Sequence, residues 1–481
     1  LEVLRNHGSY VGVKSDFDIY SSNDDLNYVI GAICSDYKEI DASFPSEELK
    51  ILNMITYFEK KLCFTEEDVE NNMPRTEYTN AYKWIYLEYI KRMLKNSTLD
   101  FDMLIMLTYR LFKIKPAIAR IYAKTYRYIN VDEFQDTNYG QFKVLVSMCG
   151  IANNNIFIVA DDDQVIYGWN GADHRRIAQF KEMFGAELIQ LNQNFRCPKE
   201  VIESANRLIA HNSGREKNKK PLEAMKELDD NNPHIYCNAY VDEQAEARGV
   251  QGIIRYILEK RPGETISVLA RTNRLLELVF QESKKAGIKC EKSKRKSDFE
   301  TPYILWMFLA LKLSNHRTDK MILRELVGVL SVGLDFDLDE DEVILESDLT
   351  DGDFLKALRT KCIEMFDDET FEKSFSLNLV EGKNFIQFIE DSFKWAESRI
   401  DKIDDPANKE QVLQNYEIEK KVWKDFQKHL RCNYNLQEIL LSTYIQEFSM
   451  VSKEEKPCKD AVQFLTIHAS KGKEFDHVIL I

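Results

Sequence analysis

The sequence predicts an α/β protein with parallel sheets in two places and long helical stretches set among them. Three observations predict it. Short apolar runs that end in polar residues alternate with helical periodicity between Tyr126 and Leu191. The same pattern returns at Ile266–Ala270 and at Gln463–Ile467. The 481 residues also exceed the ~250–300 at which a single hydrophobic core stops growing, so several domains are expected.

The elements follow in order. Leu1 to Tyr20 reads as the end of a helix, a loop and a short extended piece, Asp16–Tyr20. From there to about Lys115 the pattern is helical; in Ala81–Leu94, Trp84, Leu87 or Glu88, and Lys91 recur at i, i+3/i+4 spacing. Tyr128–Val131 and Ile156–Ala160 are apolar strands that stop at Asp132 and Asp161. In a parallel sheet the ligand site lies beyond the carboxyl ends of the strands, which makes those acids candidates for chemistry. Ile266–Ala270 stops at Arg271 and Gln463–Ile467 at His468, which implies a second sheet. The stretch from about Ser297 to Glu455 is mostly helical and carries an acidic segment, Asp335 to Asp353, so it reads as an insertion into that second sheet domain.

Composition excludes several classes. With 44% hydrophobic and 30% charged residues the chain is globular, neither disordered nor collagenous. The formal net charge of −15 argues against a protein that coats nucleic acid with a basic surface, while leaving room for a narrow basic channel. No apolar run approaches the ~18–20 residues of a membrane helix, and the amino end lacks the apolar core of a signal peptide. Nine cysteines without a C-x-x-C pair suggest neither zinc nor a disulfide framework, and a reducing cytoplasm is expected. The chain starts at Leu1 and stops within the strand-like run His477–Ile481, so it is expected to be the interior of a longer protein.

Three segments carry candidate chemistry. In Val131-Asp132-Glu133-Phe134-Gln135-Asp136-Thr137, adjacent acids at a strand end suit a magnesium-nucleotide site: one carboxylate holds the metal's water shell and the next deprotonates a water. Alone, such a pair is more often an ordinary loop. In the segment Asp161–Ala172, Gln164 suits contact with a γ-phosphate or its water, while Tyr167 and Trp169 offer ring faces to stacked bases; two core aromatics behind an acidic turn are the plainer alternative. In Leu191–Pro198, Arg196 sits between a strand and a helix, where an arginine can reach a transferring phosphate, and Phe195 can stack on an adenine; an ordinary surface arginine beside a buried phenylalanine is the alternative.

These segments, with Val268-Leu269-Ala270-Arg271-Thr272-Asn273-Arg274 and Thr466-Ile467-His468-Ala469-Ser470-Lys471-Gly472-Lys473-Glu474-Phe475, resemble in order and spacing the superfamily 1 DNA helicases of the UvrD/Rep type. The resemblance runs through almost the whole chain. It implies two RecA-like parallel-sheet cores, both incomplete, each with an inserted helical subdomain. The segments would be 1–22, 23–115 (helical insert) and 116–194 for the first core, then 195–296, 297–455 (helical insert) and 456–481 for the second. It also implies an ATP-dependent DNA helicase moving 3′-to-5′ on single-stranded DNA, with ATP and Mg2+ as cofactors and single strands and single-strand/duplex junctions as partners.

By the same resemblance Asp132 coordinates magnesium, Glu133 is the general base, Gln164 senses the γ-phosphate and Arg196 is an arginine finger. Phe195 takes the place of an adenine-stacking tyrosine, Glu474 meets the ribose, and Lys471 and Gly472 lie in the same nucleotide loop. Tyr167 and Trp169 stack on bases, Arg271 and Asn273 touch the strand's backbone, and His468 links strand and nucleotide. Because Gln164 lies three residues from Tyr167, one short segment can feel both ligands, and closure of the two cores is expected to bring Arg196 toward Glu133.

The departures matter equally. No G-x-x-x-x-G-K-[ST] occurs, so the phosphate cradle and its lysine are absent from this chain, and the chain alone is expected to lack substantial ATPase. Gly168 and Asn170 stand where many members carry arginine; the basic runs Arg215–Lys220 and Lys292–Lys296 either supply that charge or are solvated loops. Asp335, Asp337, Asp339 and Glu346 have the spacing of a calcium loop, but Glu340 replaces the glycine its turn requires, and a solvated acidic face is the plainer account. Two rival functions are a helicase subunit of a helicase-nuclease and a non-catalytic single-stranded-DNA-binding module.

Overall fold

The computed structural model describes every residue except 21–22, 46–47, 74–77, 150–154, 169–170, 213–214, 216–217, 227–233, 293–298, 300, 366–367 and 452–460. Ten strands are present among the described residues: β1 (Asp18–Ile19), β2 (Thr98–Leu99), β3 (Ile129–Val131), β4 (Ile156–Ile158), β5 (Gln193–Asn194), β6 (Glu223–Ala224), β7 (Ile266–Ala270), β8 (Cys290–Lys292), β9 (Val462–Thr466) and β10 (His477–Leu480). Every pairing is parallel, in one four-stranded sheet of order β10-β7-β9-β8 and three two-stranded sheets, β1-β2, β3-β4 and β5-β6. The sequence led us to expect two sheets; strands of two or three residues leave several pairs standing separately.

The chain forms two compact units, one of Leu1–Leu111 with Arg295–Glu454, the other of Phe112–Lys294 with Glu455–Ile481. The second unit holds both sheets that carry the candidate chemistry. β7 reads Ile-Ser-Val-Leu-Ala and is buried along almost its whole length, as befits a parallel strand covered on both faces. Helices Glu243–Lys260 and Asn273–Lys285 close over this sheet through Ala247, Val250, Ile254, Leu276 and Val279, and Phe280 meets Phe464 of β9 edge-on with ring centroids 5.2 Å apart. Beside β3-β4 the core is small: Phe134, Phe142 and Phe180, with Phe134 and Phe180 at 5.4 Å.

The first unit is helical and aromatic. Helix Pro302–Asn315, with proline at its first turn, is apolar nearly all round because it runs through the middle of a core built on Trp306, Trp395, Trp423, Phe371, Phe388 and Phe448. The acidic segment gives no calcium loop. Asp339 caps helix Glu340–Ser347 by accepting the Asp341 amide at 2.8 Å, so the fifth position of that spacing starts a helix. In helix Thr79–Lys95 the buried row is Ala81, Ile85, Tyr89 and Met93, one position along from the Trp84–Lys91 row. Within this unit Arg5 of helix Glu2–His7 pairs with Glu447 at 2.9 Å, and the buried Gln446 bonds to the Phe17 carbonyl. Residues near the amino end thus pack on helix Leu441–Val451, a contact across more than four hundred residues that nothing local announces. No helix among the described residues is long and apolar enough to cross a membrane.

Candidate functional site

β3 ends at Val131, and the next two carboxylates, Asp132 and Glu133, are exposed. Phe134 is fully buried and donates its amide to Val159 O at 3.0 Å, which pins the turn to the end of β4. That anchoring holds Glu133 at φ +50°, a left-handed conformation few non-glycine residues adopt, with its amide on Asp132 Oδ1 at 2.9 Å. Gln135, also fully buried, donates to the Glu133 carboxylate and accepts the Asp161 amide at 3.0 Å. The ends of β3 and β4 are therefore stitched by one glutamine that sequence reasoning passed over; an amide flanked by Phe134 and Asp136 was its only signal.

After β4, Asp161 organises its own turn. Its Oδ1 accepts the Asp163 amide at 3.1 Å and its Oδ2 accepts the side-chain amide of the exposed Gln164 at 2.8 Å. The triplet Asp161-Asp162-Asp163 gathers carboxylate oxygens within 4.8 Å of one another, but the charge is answered internally. Lys219 Nζ lies 2.5 Å from Asp161, 2.5 Å from Asp162 and 2.8 Å from Asp163, and the Arg215 fork holds Asp163 at 2.8 and 2.9 Å. Burial works against the Lys219 ammonium, yet the three carboxylates outweigh it and hold its pKa above that of an ordinary lysine. Arg215 and Lys219 are thus engaged with protein carboxylates instead of lying open to phosphate. In the other basic run Lys292 is paired with Glu277 at 2.5 Å, and residues 293–296 lie outside the described residues.

The loop between β9 and β10 brings in the remaining residues. Gly472, at φ +76°, makes the turn that a residue with a Cβ would resist. Beside it Lys471, its side chain 9% exposed, donates to Asp136 at 2.6 Å and to the Gln164 carbonyl at 2.9 Å, and lies 4.0 Å from Glu133. Its ammonium also sits 5.2 Å from the centre of the Tyr167 ring. Tyr167 donates its hydroxyl to the His468 carbonyl at 2.9 Å, and the His468 ring nitrogen lies 3.4 Å from Arg271.

Glu133, Gln164, Tyr167, Arg271, His468 and Lys471 therefore form one connected set. Arg196 stands apart from it: its Nε meets Glu474 at 2.9 Å, so the expected approach of Arg196 to Glu133 is replaced here by a pair of exposed side chains. Phe195, next to it, is 70% exposed, as a free stacking face would be. Asn273 is the exposed first residue of helix Asn273–Lys285. Trp169 lies outside the described residues.

Two parallel-sheet regions thus bring strand-end loops carrying acids, a glutamine and a lysine together in one place. Residues 1–185 match the family model of the UvrD/REP helicase N-terminal domain, and residues 189–481 that of the UvrD-like helicase C-terminal domain. The chain belongs to the UvrD/Rep helicase family. It is 26% identical over 504 residues to an ATP-dependent DNA helicase PcrA of Bacillus subtilis (strain 168), covering 100% of this chain and 65% of that relative. A Staphylococcus epidermidis PcrA is 26% identical over 501 residues and a Staphylococcus aureus PcrA 25% over 518, each with the same coverage. The chain thus spans 65% of the length of the curated relatives it matches.

Proposed function

We propose that the whole protein is an ATP-dependent DNA helicase that couples ATP hydrolysis to 3′-to-5′ movement on single-stranded DNA and to unwinding at single-strand/duplex junctions, in the cytoplasm. The observation that carries the reading is the bridge made by the β9–β10 loop. Lys471 holds the Gln164 carbonyl while His468, three residues earlier, holds Tyr167. A change at the phosphate-sensing residue is thereby transmitted to the base-stacking one over a single turn.

The residues suit the roles. Asp132 and Glu133 present exposed carboxylate oxygens, the hard ligands magnesium takes, and the buried Asp136 Oδ1 has no hydrogen-bond partner among the described residues. In this reading Asp132 holds the metal, Glu133 takes a proton from the attacking water, Gln164 orients that water and Arg196 stabilises charge at the transferred phosphoryl group. Phe195 stacks on the adenine, Glu474 binds the ribose, and Lys471 and Gly472 shape the loop between them. Magnesium-bound ATP, when present, supplies the phosphoryl group and neutralises its charge. On the strand side Tyr167 and Trp169 stack on bases, Arg271 and Asn273 hold the backbone, and His468 relays. The reading includes the segments 1–22, 23–115, 116–194, 195–296, 297–455 and 456–481 as two cores with helical inserts. Lacking a phosphate cradle, residues 1–481 by themselves are proposed not to turn over ATP appreciably.

The test is DNA-stimulated ATPase of the whole protein, wild type against Glu133→Gln. We expect kcat to fall by roughly 10²–10⁴, the range for loss of a general base, with single-strand affinity kept. Turnover indifferent to single-stranded DNA, or unchanged in Glu133→Gln, would sink the reading.

A further inference from the structure

We infer that Lys219 is a positioning residue that fixes the Gln164 side chain through Asp161, an inference that rests on the reading of Gln164 as the phosphate-sensing residue. Asp161 is the junction. One of its oxygens takes the Lys219 ammonium at 2.5 Å and the Asp163 amide at 3.1 Å, and the other takes the Gln164 amide nitrogen at 2.8 Å. With its Nε2 committed to Asp161, Gln164 keeps its amide oxygen for a water or a phosphate-bound proton. Asp161 also gives its backbone amide to Gln135, which donates to Glu133, so the same carboxylate turn stands behind both residues assigned to the hydrolytic water.

Three aspartates in a row repel one another and would splay without a counter-charge. Lys219, 21% exposed, supplies it at all three, and Arg215 adds a two-bond fork on Asp163 that fixes where the third carboxylate lies. Both cations come from the loop ahead of β6, whereas the acids follow β4. The clasp therefore makes the orientation of Gln164 depend on where the β6 loop sits. It also takes Arg215 and Lys219 out of the basic run's exposed charge, leaving Lys220 as its exposed described cation.

The experiment compares wild type, Lys219→Ala, Lys219→Arg, Asp161→Asn and the Lys219→Ala/Asp161→Asn double variant. Hydrogen exchange of residues 161–167 in the 481-residue chain should quicken about tenfold in Lys219→Ala, as charge-assisted bonds are lost, and return toward wild type in Lys219→Arg. In the whole protein kcat should fall about 10- to 100-fold with KM for ATP little moved, the signature of a group displaced by about 1 Å. The double variant should be no worse than the poorer single one, because both act on one bond. The salt slope of single-strand binding should stay unchanged in Lys219→Ala. Exchange unaltered in Lys219→Ala, fully additive losses in the double variant, or a slope reduced by about 0.7, as for one lost phosphate contact, would each overturn the inference. Wild-type protein without DNA-stimulated ATPase would defeat the helicase reading, while the exchange arm would still decide the clasp.

Discussion

The two units solve the problem of charge in opposite ways. In the first, ionisable groups are sealed inside a helical, aromatic body: Glu59 and Asp100 are buried together, Asp100 accepts the Tyr89 hydroxyl at 2.6 Å, burial pushes both carboxyls upward, and the neighbouring Asp100 and Asp102 raise Glu59 further. Asp102 nearby is raised to about 6 by burial, although Lys60 lies 3.5 Å away. In the second unit the acids stand at strand ends, exposed or answered by Lys219, Arg215 and Lys471, and beside β3-β4 only Phe134, Phe142 and Phe180 of the described core are buried, with Val131, Ile156 and Ile158 partly buried around them. Burial there is spent on backbone placement, as with Phe134 and Gln135, and the carboxylates of Asp132 and Glu133 stay in water's reach. The first unit is built for stability and the second for presenting charge.

The largest test of that contrast is Trp423→Ala. Trp423 is fully buried, with its ring 4.7 Å from that of Phe448, so truncation should cost about 3–5 kcal/mol in denaturant unfolding of the first unit. Exchange protection of β7 and β9 should survive it; simultaneous loss of protection there would break the comparison.

Glu59→Gln sharpens the contrast through pH. The folded pKa of Glu59 lies above its unfolded value, so the native state holds a proton the unfolded state releases, and stability falls as pH rises from the unfolded pKa toward the folded one. A glutamine is neutral throughout. The variant should match wild type near pH 4 and unfold at higher urea near pH 8, by about 1 kcal/mol or more; equal midpoints at both pH values would mean Glu59 is not a strained acid.

The smallest effect is expected at a cap. Asp319 accepts the Met321 and Ile322 amides at 2.9 and 3.1 Å and the Tyr20 hydroxyl at 3.2 Å, so Asp319→Ala should lower first-unit stability by about 1 kcal/mol. Loss of several times that amount would show the Tyr20 contact to be the stronger part.

The sequence by itself determined the apolar strands that stop at polar residues and their parallel character, whereas β2, β5, β6 and β8 carry no such signal. Alternating apolar runs ended by Asp132, Asp161, Arg271 and His468 are local signals, and β3, β4, β7 and β9 fall on them within a residue or two. The order and spacing of the five segments likewise carried the family, which the matched domains bear out. What only the tertiary structure decided is who answers each charge. Lys219 reaches Asp161 across 58 positions, Lys471 reaches Asp136 across 335, and Gln446 reaches Phe17 across 429. A basic run or a lone glutamine looks the same in sequence whether it meets solvent, phosphate or a carboxylate. Ion pairs and buried amides are chosen by three-dimensional proximity and desolvation, and neither leaves a period in the chain.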